Sequence, residues 1–333
     1  MSSAVADSLT RLGVSLAGQG ATLEGLQRLS GGASMETWAF AYVGAGGRRE
    51  LILRRRPGGA PPPDADGRAN SLTTEAELIR AARAAGVPAP EIVHVCGEAD
   101  GLGEAYVMGR VEGETLGRKI VGDPRFEAVR PKLARQCGEI LARIHATTPP
   151  PGAGLRVADA AAELDKYEEI YRQSGAERPI LELAFRHLRG RTPAPRAPLL
   201  VHGDFRNGNL MIDPEIGVAA VLDWELTHLG DPAEDLGWLC VNSWRFGKAD
   251  RPVGGFGDYA DLLEGYAAAG GADVDLERVR FWQTLGSLKW GVMCLIMYLS
   301  FQTNKEAGVE RAVIGRRVSE TEIDIVRLLE HGQ

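Results

Sequence analysis

The sequence has few of the features that mark a secreted, membrane or nucleic-acid-binding protein. Among its 333 residues are only 4 cysteines, which form no C-x-x-C pair and no cluster with histidine at zinc spacing. Scattered cysteines of this kind favour reduced thiols over a disulfide framework. The first residues, MSSAVADSLTRLG, lack the basic and apolar segments of a signal peptide. We therefore expect a cytoplasmic location.

The charge distribution and the length of the apolar segments argue against two further classes of protein, those that bind nucleic acid and those that span membranes. The 38 basic and 45 acidic residues give a net charge of −7, and no extended lysine or arginine block is present, so no nucleic-acid partner is expected. The most apolar tract, WGVMCLIMYLSF at 290–301, is too short to span a bilayer and predicts a buried helix, so no membrane partner is expected either. The sequence gives no indication of the oligomeric state.

The first hundred residues are predicted to be mainly β-strand. In LEGLQRLSGGASMETWAFAYV two strand-like runs flank a glycine-containing turn, GAGG at 44–47 predicts a hairpin turn, and ELILRRR at 50–56 predicts a third strand. A helix is expected over 71–86, capped by Ser71 or Thr73. EIVHVCG and EAYVMGR predict a further hairpin that turns at EADG.

After VEGETLG the pattern changes to helices. The predicted helices cover 125–147, 158–173, 177–189, 231–243, 256–268, 275–301 and 308–331. The segment 201–224 is the only β-like region expected among them. The sequence thus predicts an α+β fold with a small β-rich N-terminal lobe, 1–110, and a larger helical C-terminal lobe, 111–333, joined near Arg110 to Gly113. A cleft between two lobes is a preferred place for a ligand.

The segment VHGDFRNGNLMIDPEIGVAAVLDW, residues 201–224, has the composition of a catalytic segment. A hairpin alone does not need a carboxylate such as Asp223 at its far end. His202, Asp204 and Asn209 have the H-x-D-x-x-x-x-N spacing of a kinase catalytic loop, in which the aspartate accepts the substrate proton and the asparagine binds magnesium.

A second metal ligand is expected from the neighbouring strand. If the chain pairs about the PEIG turn, Asn209 and Asp223 lie together at the open end of the hairpin. Oxygen ligands of this kind, together with phosphate oxygens, suit Mg²⁺. The segment therefore predicts a site for Mg²⁺ and ATP. The structural alternative is that these Asp and Asn side chains only cap backbone groups in turns.

The segments HGDFRNGNLM and VLDWELTHLGDPAEDLGWL resemble those of the aminoglycoside phosphotransferase, or choline kinase-like, superfamily. The likeness is greatest to its bacterial branch and to the kinase-like domain found beside acyl-CoA dehydrogenases, and it covers nearly the whole chain. The resemblance implies a protein-kinase-like two-lobed fold. It also implies transfer of the γ-phosphate of ATP, with GTP possible, to a hydroxyl of a small molecule.

The resemblance assigns roles to individual residues of this sequence. Asp204 is the candidate catalytic base, and Asn209 and Asp223 are the candidate metal ligands. Arg206 lies where the family often has a charged residue near the transferred phosphate; the alternative is a surface salt bridge. His202 is expected to support the loop by hydrogen bonding.

The nucleotide-binding residues follow from two N-terminal motifs. LSGGASMETW matches the turn that covers the phosphates, although it lacks the full G-x-G-x-x-G of protein kinases. YVMGRVEGETL matches the linker that contacts adenine. The residues implied are Gly31, Gly32 and Ser34 in the turn and Met108, Gly109 and Val111 in the linker.

The third strand departs from the kinase pattern. Kinases usually place a lysine there, paired with a glutamate of the following helix, whereas this sequence offers Arg54, with Glu75 as its expected partner in preference to Glu77. The guanidinium group of arginine is permanently charged and has paired N–H donors, so it can still bind phosphate. The alternative is that Arg54 belongs to an exposed basic edge strand.

Two further aspartates and the tryptophans are expected to be structural. Asp231 is predicted to cap a helix, and Asp231 and Asp235 to brace the catalytic loop. The tryptophans are expected mainly in the core, with one or two lining the acceptor pocket.

Three functions remain open at this stage. The first is an ATP- and Mg²⁺-dependent small-molecule O-phosphotransferase, and the second is a nucleotide-binding pseudokinase or adaptor without transfer activity. The third is a metal hydrolase that uses His202 and Asp204. The acceptor could be aminoglycoside-like, an amino alcohol, a hydroxy acid or a hydroxyacyl thioester, because Arg206, Arg245 and Lys248 suit an anionic group as well.

Overall fold

The computed structural model describes residues 2–29, 35–56, 69–303 and 308–331. The predicted phosphate-covering residues Gly31, Gly32 and Ser34 lie outside these ranges. The helices are α1 (Ser2–Ala17), α2 (Leu72–Ala84), α3 (Gly117–Gly122), α4 (Arg130–His145), α5 (Ala160–Gln173), α6 (Pro179–Arg189), α7 (Ala233–Leu239), α8 (Tyr259–Ala268), α9 (Leu276–Gln302), α10 (Val309–Gly315) and α11 (Val318–His331). The strands are β1 (Thr22–Arg28), β2 (Glu36–Gly44), β3 (Gly47–Arg55), β4 (Ile92–Val95), β5 (Ala105–Gly109), β6 (Leu199–Val201), β7 (Leu210–Asp213), β8 (Gly217–Val221) and β9 (His228–Gly230).

The N-terminal lobe is built on a five-stranded antiparallel sheet with the order β1-β2-β3-β5-β4. The β2–β3 hairpin closes where Gly44 pairs with Gly47, which confirms the predicted turn. Helix α2 follows Ser71, whose Oγ accepts a hydrogen bond from the Thr74 backbone N–H at 3.0 Å. Ser71 is therefore the N-cap, one of the two residues predicted for that position.

The prediction that this region is mainly β-strand apart from 71–86 was wrong at its start, where α1 forms. Val5, Leu9 and Leu12 recur at helical spacing and are buried against one face of the sheet. The Tyr42 hydroxyl of β2 donates a hydrogen bond to the Leu9 carbonyl at 2.5 Å. The helix forms because it covers apolar strand residues such as Phe40 that would otherwise face water.

The C-terminal lobe is mainly helical, as predicted. Helix α4 packs against α8, while α6, α7, α10 and α11 pack against α9. The hairpin β7–β8 forms as expected, but it is not the only β structure among the helices. Strands β6 and β9 form a second, two-stranded antiparallel sheet, with Leu199 opposite Gly230. Strands of three residues are too short to give a recognisable alternation in the sequence.

Helix α9 is longer than its apolar tract at 290–301 suggested. With 27 residues, the helix is long and apolar enough to cross a membrane by length and composition alone. In its apolar 18-residue stretch, 56% is buried in the protein. The buried residues pack against neighbouring helices of the C-terminal lobe. The helix also carries Arg278, Arg280 and Lys289, which take part in polar contacts of this lobe.

The chain that follows β5 is fixed to the β7–β8 hairpin. Glu114 and Ile212 exchange two backbone hydrogen bonds of 2.9 Å. Gly113 has φ = +147°, and a Cβ there would lie 2.7 Å from Met211 Cγ and 2.9 Å from the Ile212 carbonyl oxygen. Only glycine fits this close approach. The connection between the sheet and the helical lobe is therefore anchored directly on the segment that carries the candidate site.

Candidate active site

The loop between β6 and β7 holds Asp204 in a set of three hydrogen bonds. Its Oδ1 accepts from Trp238 Nε1 at 2.7 Å and from Arg206 Nε at 3.0 Å, and its Oδ2 accepts from Asn209 Nδ2 at 2.6 Å. An ionised carboxylate offers about four acceptor positions. The three donors fix the orientation of Asp204 and leave room for one further donor, such as a substrate hydroxyl.

The backbone of this loop is supported by a buried carboxylate. Asp235 of α7 accepts hydrogen bonds from the His202 N–H at 2.7 Å and from the Gly203 N–H at 2.9 Å. Gly203 has φ = +79°, and a Cβ at this position would lie 2.5 Å from the Leu226 carbonyl oxygen. Asp235 thus braces the loop, as the sequence predicted, and glycine is required at the bend.

His202 supports the same loop through both ring nitrogens. Its Nδ1 accepts from the Asp204 N–H at 3.2 Å, and its Nε2 lies 3.1 Å from the Leu222 carbonyl, to which it donates. Burial lowers the pKa of His202, although nearby acids such as Asp235 oppose this effect. Both nitrogens of the neutral ring are used, so the structure opposes a metal-ligand role in a hydrolase.

Asp231 braces a different part of the lobe from the one predicted. Its Oδ1 accepts from the Ala233 N–H at 3.0 Å, and its Oδ2 accepts from Arg278 Nε at 2.7 Å. Pro232 occupies the N-cap position of α7, but the side chain that accepts the first N–H of the helix is that of Asp231, as predicted. Asp231 therefore joins the start of α7 to α9, and its side-chain hydrogen bonds go to Ala233 and Arg278 and not to the catalytic loop.

The hairpin brings Asn209 and Asp223 to its open end, as predicted. Leu210 pairs with Val221, and the Leu222 N–H donates to the Asn209 carbonyl at 2.8 Å. Asp223 has φ = +66°, a left-handed backbone conformation that costs a non-glycine residue about 1–3 kcal/mol. Strain of this kind concentrates at functional sites, and aspartate is among the residues that tolerate it.

Arg54 lies on β3, in the middle of the five-stranded sheet, and its side chain is only 15% exposed. This excludes the exposed basic edge strand. Its Nε lies 3.4 Å from Glu75 Oε1, whereas Glu77 is exposed, which places the expected partner beside it. Its Nη2 donates to Asp223 Oδ1 at 2.5 Å and lies 3.3 Å from Glu225 Oε2.

The carboxylates around Arg54 outnumber it by three to one. Burial raises the pKa of Glu225 to about 7, with Asp223 adding to the effect and Arg54 opposing it. Burial also raises the pKa of Glu75, against the influence of Arg54. Burial opposes the charge of Arg54, yet the surrounding acids raise its pKa. This surplus of negative charge, with Asp223 and the amide oxygen of Asn209 at its edge, fits a divalent cation such as Mg²⁺.

Arg206 is oriented by two contacts. Its Nε pairs with Asp204, and its guanidinium carbon lies 4.5 Å from the ring centroid of Trp244. The salt bridge that was the alternative to a phosphate contact is therefore present, but it is partly buried and its partner is the candidate base itself. The ring of Trp244 in turn packs against Trp238 at 5.3 Å between centroids. The side chain is held beside the carboxylate that would receive the substrate proton.

Sequence reasoning missed two residues of this site. Trp238, assigned to the core, donates to Asp204 from a position 34 residues away, and no local pattern indicates such a contact. Glu225 could have been found, because it lies only two residues beyond Asp223 in VLDWE.

The predicted adenine linker is only partly available for a base. The Gly109 N–H already donates to the Glu91 carbonyl at 2.8 Å, so it is not open to adenine. The Val111 N–H makes no hydrogen bond to the part of the chain that the structure describes. Met108 is half-buried and packs against the main core. Of the backbone donors at Gly109 and Val111, therefore, only that of Val111 is open to a ligand.

A family model described as the phosphotransferase enzyme family matches residues 25–282. The chain belongs to this family. Among curated proteins it is 30% identical over 204 residues to acyl-CoA dehydrogenase family member 10 of Mus musculus, covering 58% of this chain and 18% of that protein. It is 28% identical over 198 residues to family member 11 of Homo sapiens, covering 57% and 25%. The aligned part thus spans a quarter or less of these two relatives.

Solved structures share the fold over almost the whole chain. A Ralstonia eutropha protein assigned to the aminoglycoside phosphotransferases has a TM-score of 0.72 at 21% identity, covering 95% of both chains. A choline/ethanolamine kinase family protein of Mesorhizobium loti has a TM-score of 0.59 at 20% identity, covering 98% and 95%. Spectinomycin phosphotransferase has a TM-score of 0.64 at 15% identity, covering 97% and 98%.

These findings confirm the predicted fold and family. The fold is α+β and protein-kinase-like, with two lobes, and the chain belongs to a family of phosphotransferase enzymes. The resemblance to the aminoglycoside phosphotransferase and choline kinase-like superfamily is likewise confirmed.

Proposed function

We propose that the protein transfers the γ-phosphate of ATP, in the presence of Mg²⁺, to a hydroxyl of a small molecule. The observation that carries the proposal is the arrangement of Asp204, Asn209 and Asp223. One loop and one hairpin bring together an oriented carboxylate and an acid-rich edge, linked by the Asn209 hydrogen bond to Asp204. A base for the acceptor beside oxygen ligands for a cation is what phosphoryl transfer requires.

The two lobes divide this work. In the N-terminal lobe, 1–110, Arg54 and the turn at Gly31, Gly32 and Ser34 would approach the phosphates. Met108 and Gly109, together with Val111 at the start of the C-terminal lobe, would border adenine. Arg54 is already held by Glu75 and directed toward Asp223. The C-terminal lobe, 111–333, supplies the catalytic loop and the acceptor site.

The residues of the loop act on the acceptor hydroxyl. Asn209 and Asp223 would hold Mg²⁺, which when bound neutralises charge on the β- and γ-phosphates. Asp204 accepts the hydroxyl proton as the acceptor oxygen bonds to the γ-phosphorus. The bond from this phosphorus to the bridging oxygen breaks, and ADP leaves. Arg206, fixed between Asp204 and the ring of Trp244, would contact the transferred phosphoryl group.

Relatives guide the choice of nucleotide and acceptor to test. Spectinomycin phosphotransferase was solved with ADP and spectinomycin, and an aminoglycoside 2′-phosphotransferase with the same TM-score of 0.64 was solved with GDP. ATP is therefore the first donor to test and GTP the second. Because two relatives are named acyl-CoA dehydrogenase family members, hydroxyacyl thioesters belong in the panel beside aminoglycosides, amino alcohols and hydroxy acids.

A second candidate is a nucleotide-binding pseudokinase. The observation in its favour is that Arg54 stands where kinases have lysine and donates directly to the predicted metal ligand Asp223. This contact has to change before Asp223 can bind a cation fully. Phosphoryl transfer remains the better proposal because Asp204, Asn209 and Asp223 are all present and arranged as transfer requires.

The experiment is an ADP- and GDP-release assay across the acceptor panel, with Mg²⁺, on the wild type and Asp204→Ala. Loss of a general base reduces turnover by roughly 10²–10⁴-fold. We expect this loss in the variant, with nucleotide affinity changed less than about threefold because Asp204 is not a metal ligand in this proposal. Full activity of Asp204→Ala would reject the assignment. Nucleotide binding by the wild type without transfer to any acceptor would favour the pseudokinase.

A further inference from the structure

A cavity of about 630 Å³ lies in the helical lobe, and none of its lining residues belongs to the Asp204–Asp223 site. Its volume is within the range of about 300–1,000 Å³ that is usual for small-molecule sites. The wall is formed by the segment that follows α7, the start of α8, the first half of α9, and α11. Its polar wall includes Arg245, Tyr259, Arg280, Gln283, Asp324 and Arg327.

None of the three arginines of this wall forms an ion pair within 4.0 Å with a described residue, although Arg245 is buried and Arg280 partly buried. Arg245 is 8% exposed and donates to backbone carbonyls, those of Cys240 at 2.9 Å and Ala249 at 3.1 Å. Arg280 has a buried Nε without a hydrogen-bond partner among the described residues. The exposed Arg327 forms no ion pair within 4.0 Å with the part of the chain that the structure describes.

Other partly buried arginines show the contrast. Arg56 pairs with Glu104 at 2.6 Å, Arg156 with Glu163 at 2.5 Å, Arg178 with Glu322 at 2.5 Å, and Arg278 with Asp231 at 2.6 Å. A buried charge without a counter-charge is costly, so such groups are normally paired. A wall of arginines that form no close ion pair is the surface that an anionic ligand would complete.

The two aspartates of the cavity form no ion pair within 4.0 Å with its three arginines, so positive charge is in excess on the wall. Asp324 accepts a hydrogen bond from Asn242 Nδ2 at 2.8 Å; burial raises its pKa, whereas Asn242, Arg245 and Arg327 lower it. Asp250 also lines the cavity, but it is exposed and lies 3.9 Å from Arg251, which does not belong to the wall. The guanidinium carbon of Arg280 lies 5.8 Å from the ring centroid of Tyr259, whose hydroxyl donates to Gln283 at 2.7 Å. Positive charge and ordered polar groups thus remain on the wall.

We propose that this cavity binds a small molecule that carries a phosphate or carboxylate group. The planar guanidinium group matches both anions with paired N–H donors. The cavity is also linked to the catalytic loop. Arg245 follows Trp244, on whose ring Arg206 stacks, and Asn207 Nδ2 donates to the Gly254 carbonyl at 2.8 Å. The bound anion is therefore either the remote end of the phosphoryl acceptor or a separate effector.

The test of binding does not require phosphoryl transfer. Inorganic pyrophosphate and succinate are titrated calorimetrically at constant ionic strength, with saturating ADP and Mg²⁺ so that the nucleotide site is filled. The wild type is compared with Arg280→Gln and Arg327→Gln. The matched control is Arg80→Gln, because Arg80 is exposed on α2 of the other lobe. Because Arg327 is exposed, Arg327→Gln is expected to fold and to give a binding measurement even if Arg280→Gln does not fold.

We expect binding of at least one probe to the wild type and the control, and affinity about tenfold lower in each cavity variant, as for the loss of a charged hydrogen bond. No binding to the wild type, or equal binding by all four proteins, would overturn the proposal.

The ADP- and GDP-release assay across the acceptor panel then shows whether the anion in the cavity belongs to the acceptor or to a separate effector. If the acceptor occupies the cavity, the binding probe competes with the acceptor, and Arg327→Gln raises the acceptor KM without changing kcat. If the ligand is an effector, the probe changes the rate without competing with the acceptor. Either result supports the site. A rate unaffected by the probe and by both substitutions would contradict its proposed link to the catalytic loop.

Discussion

The two carboxylates of the candidate site lie in opposite surroundings. Asp204 accepts three N–H hydrogen bonds, two of them from the neutral side chains Trp238 and Asn209, and its side chain is 15% exposed. Asp223 is 32% exposed, has a strained backbone, and shares Arg54 with two other acids. One carboxylate is oriented by donors, and the other is part of a surplus of negative charge.

This difference explains how one short segment can perform two tasks. A base needs a fixed direction and one unused acceptor position, which hydrogen bonds provide. A cation site needs net negative charge, which mutual repulsion among acids makes costly until the cation binds. The difference also predicts that substitutions at the two positions fail in different ways.

The largest effects are expected from Asp223→Asn and Asp204→Asn compared side by side. Both should lower turnover by roughly 10²–10⁴-fold. Only Asp223→Asn should lose the dependence of nucleotide affinity on Mg²⁺, because it removes a charged oxygen ligand. Calorimetric titration of ATP with and without Mg²⁺ measures this difference. Equal retention of the Mg²⁺ effect in both variants would remove the distinction between the two carboxylates.

A smaller effect is expected when Asp204 keeps its charge and loses one donor. Trp238→Phe removes the N–H at 2.7 Å while preserving most of the ring. A hydrogen bond to a charged group contributes about 1.5–3 kcal/mol, so kcat should fall roughly tenfold or more, with the nucleotide KM unchanged.

The matched control for Trp238→Phe is Trp282→Phe. Trp282 is also buried, but its Nε1 has no hydrogen-bond partner among the described residues. The kcat of Trp282→Phe should stay within about twofold of the wild-type value. An equal loss of kcat in the two variants would mean that packing, and not the hydrogen bond, accounts for the effect.

The smallest effect is expected on the pH dependence of folding stability, through Glu225, which lies two residues after Asp223. The pKa of Glu225 is raised from 4.5 to about 7 by burial and by Asp223. The folded state therefore binds the proton more tightly, and this contribution to stability is lost as pH rises from 4.5 through 7. Glu225→Gln should melt a few degrees above the wild type at pH 8 and equally at pH 4.5, in the absence of Mg²⁺.

The same melting curves recorded with saturating Mg²⁺ provide the control. Bound cation compensates the acid surplus, so the difference between Glu225→Gln and the wild type should shrink at pH 8. A melting difference that does not change between pH 4.5 and pH 8 would show that Glu225 does not titrate in this range.

The catalytic segment was the most predictable part of the molecule because its signal is local. The order His202, Asp204, Asn209, turn, Asp223 specifies a loop and a hairpin within 22 residues, and the register follows from the apolar strands. Arg54 and its partner Glu75 were predicted from the strand–helix order of kinases. The contact of Arg54 with Asp223 was not, since it joins residues 169 positions apart.

The remaining differences between the predicted and the observed structure have physical causes. Helix α1 has a local signal in Val5, Leu9 and Leu12, but its stability depends on the sheet that it covers. Strands β6 and β9 pair over three residues each, which no periodicity reveals. The residues Gly31, Gly32 and Ser34 lie outside the described chain, so their role in phosphate binding stays a prediction, as does the cytoplasmic location.

The most direct test is a crystal structure with Mg²⁺ and a non-hydrolysable ATP analogue. We predict a cation about 2.0–2.1 Å from oxygens of Asn209, Asp223 and the phosphates, with Arg54 displaced from Asp223 toward phosphate. The Asp204 carboxylate should face the open space beyond the γ-phosphate. A nucleotide bound elsewhere, or a cation that contacts neither Asn209 nor Asp223, would contradict the assignment of this loop and hairpin as the phosphotransfer site.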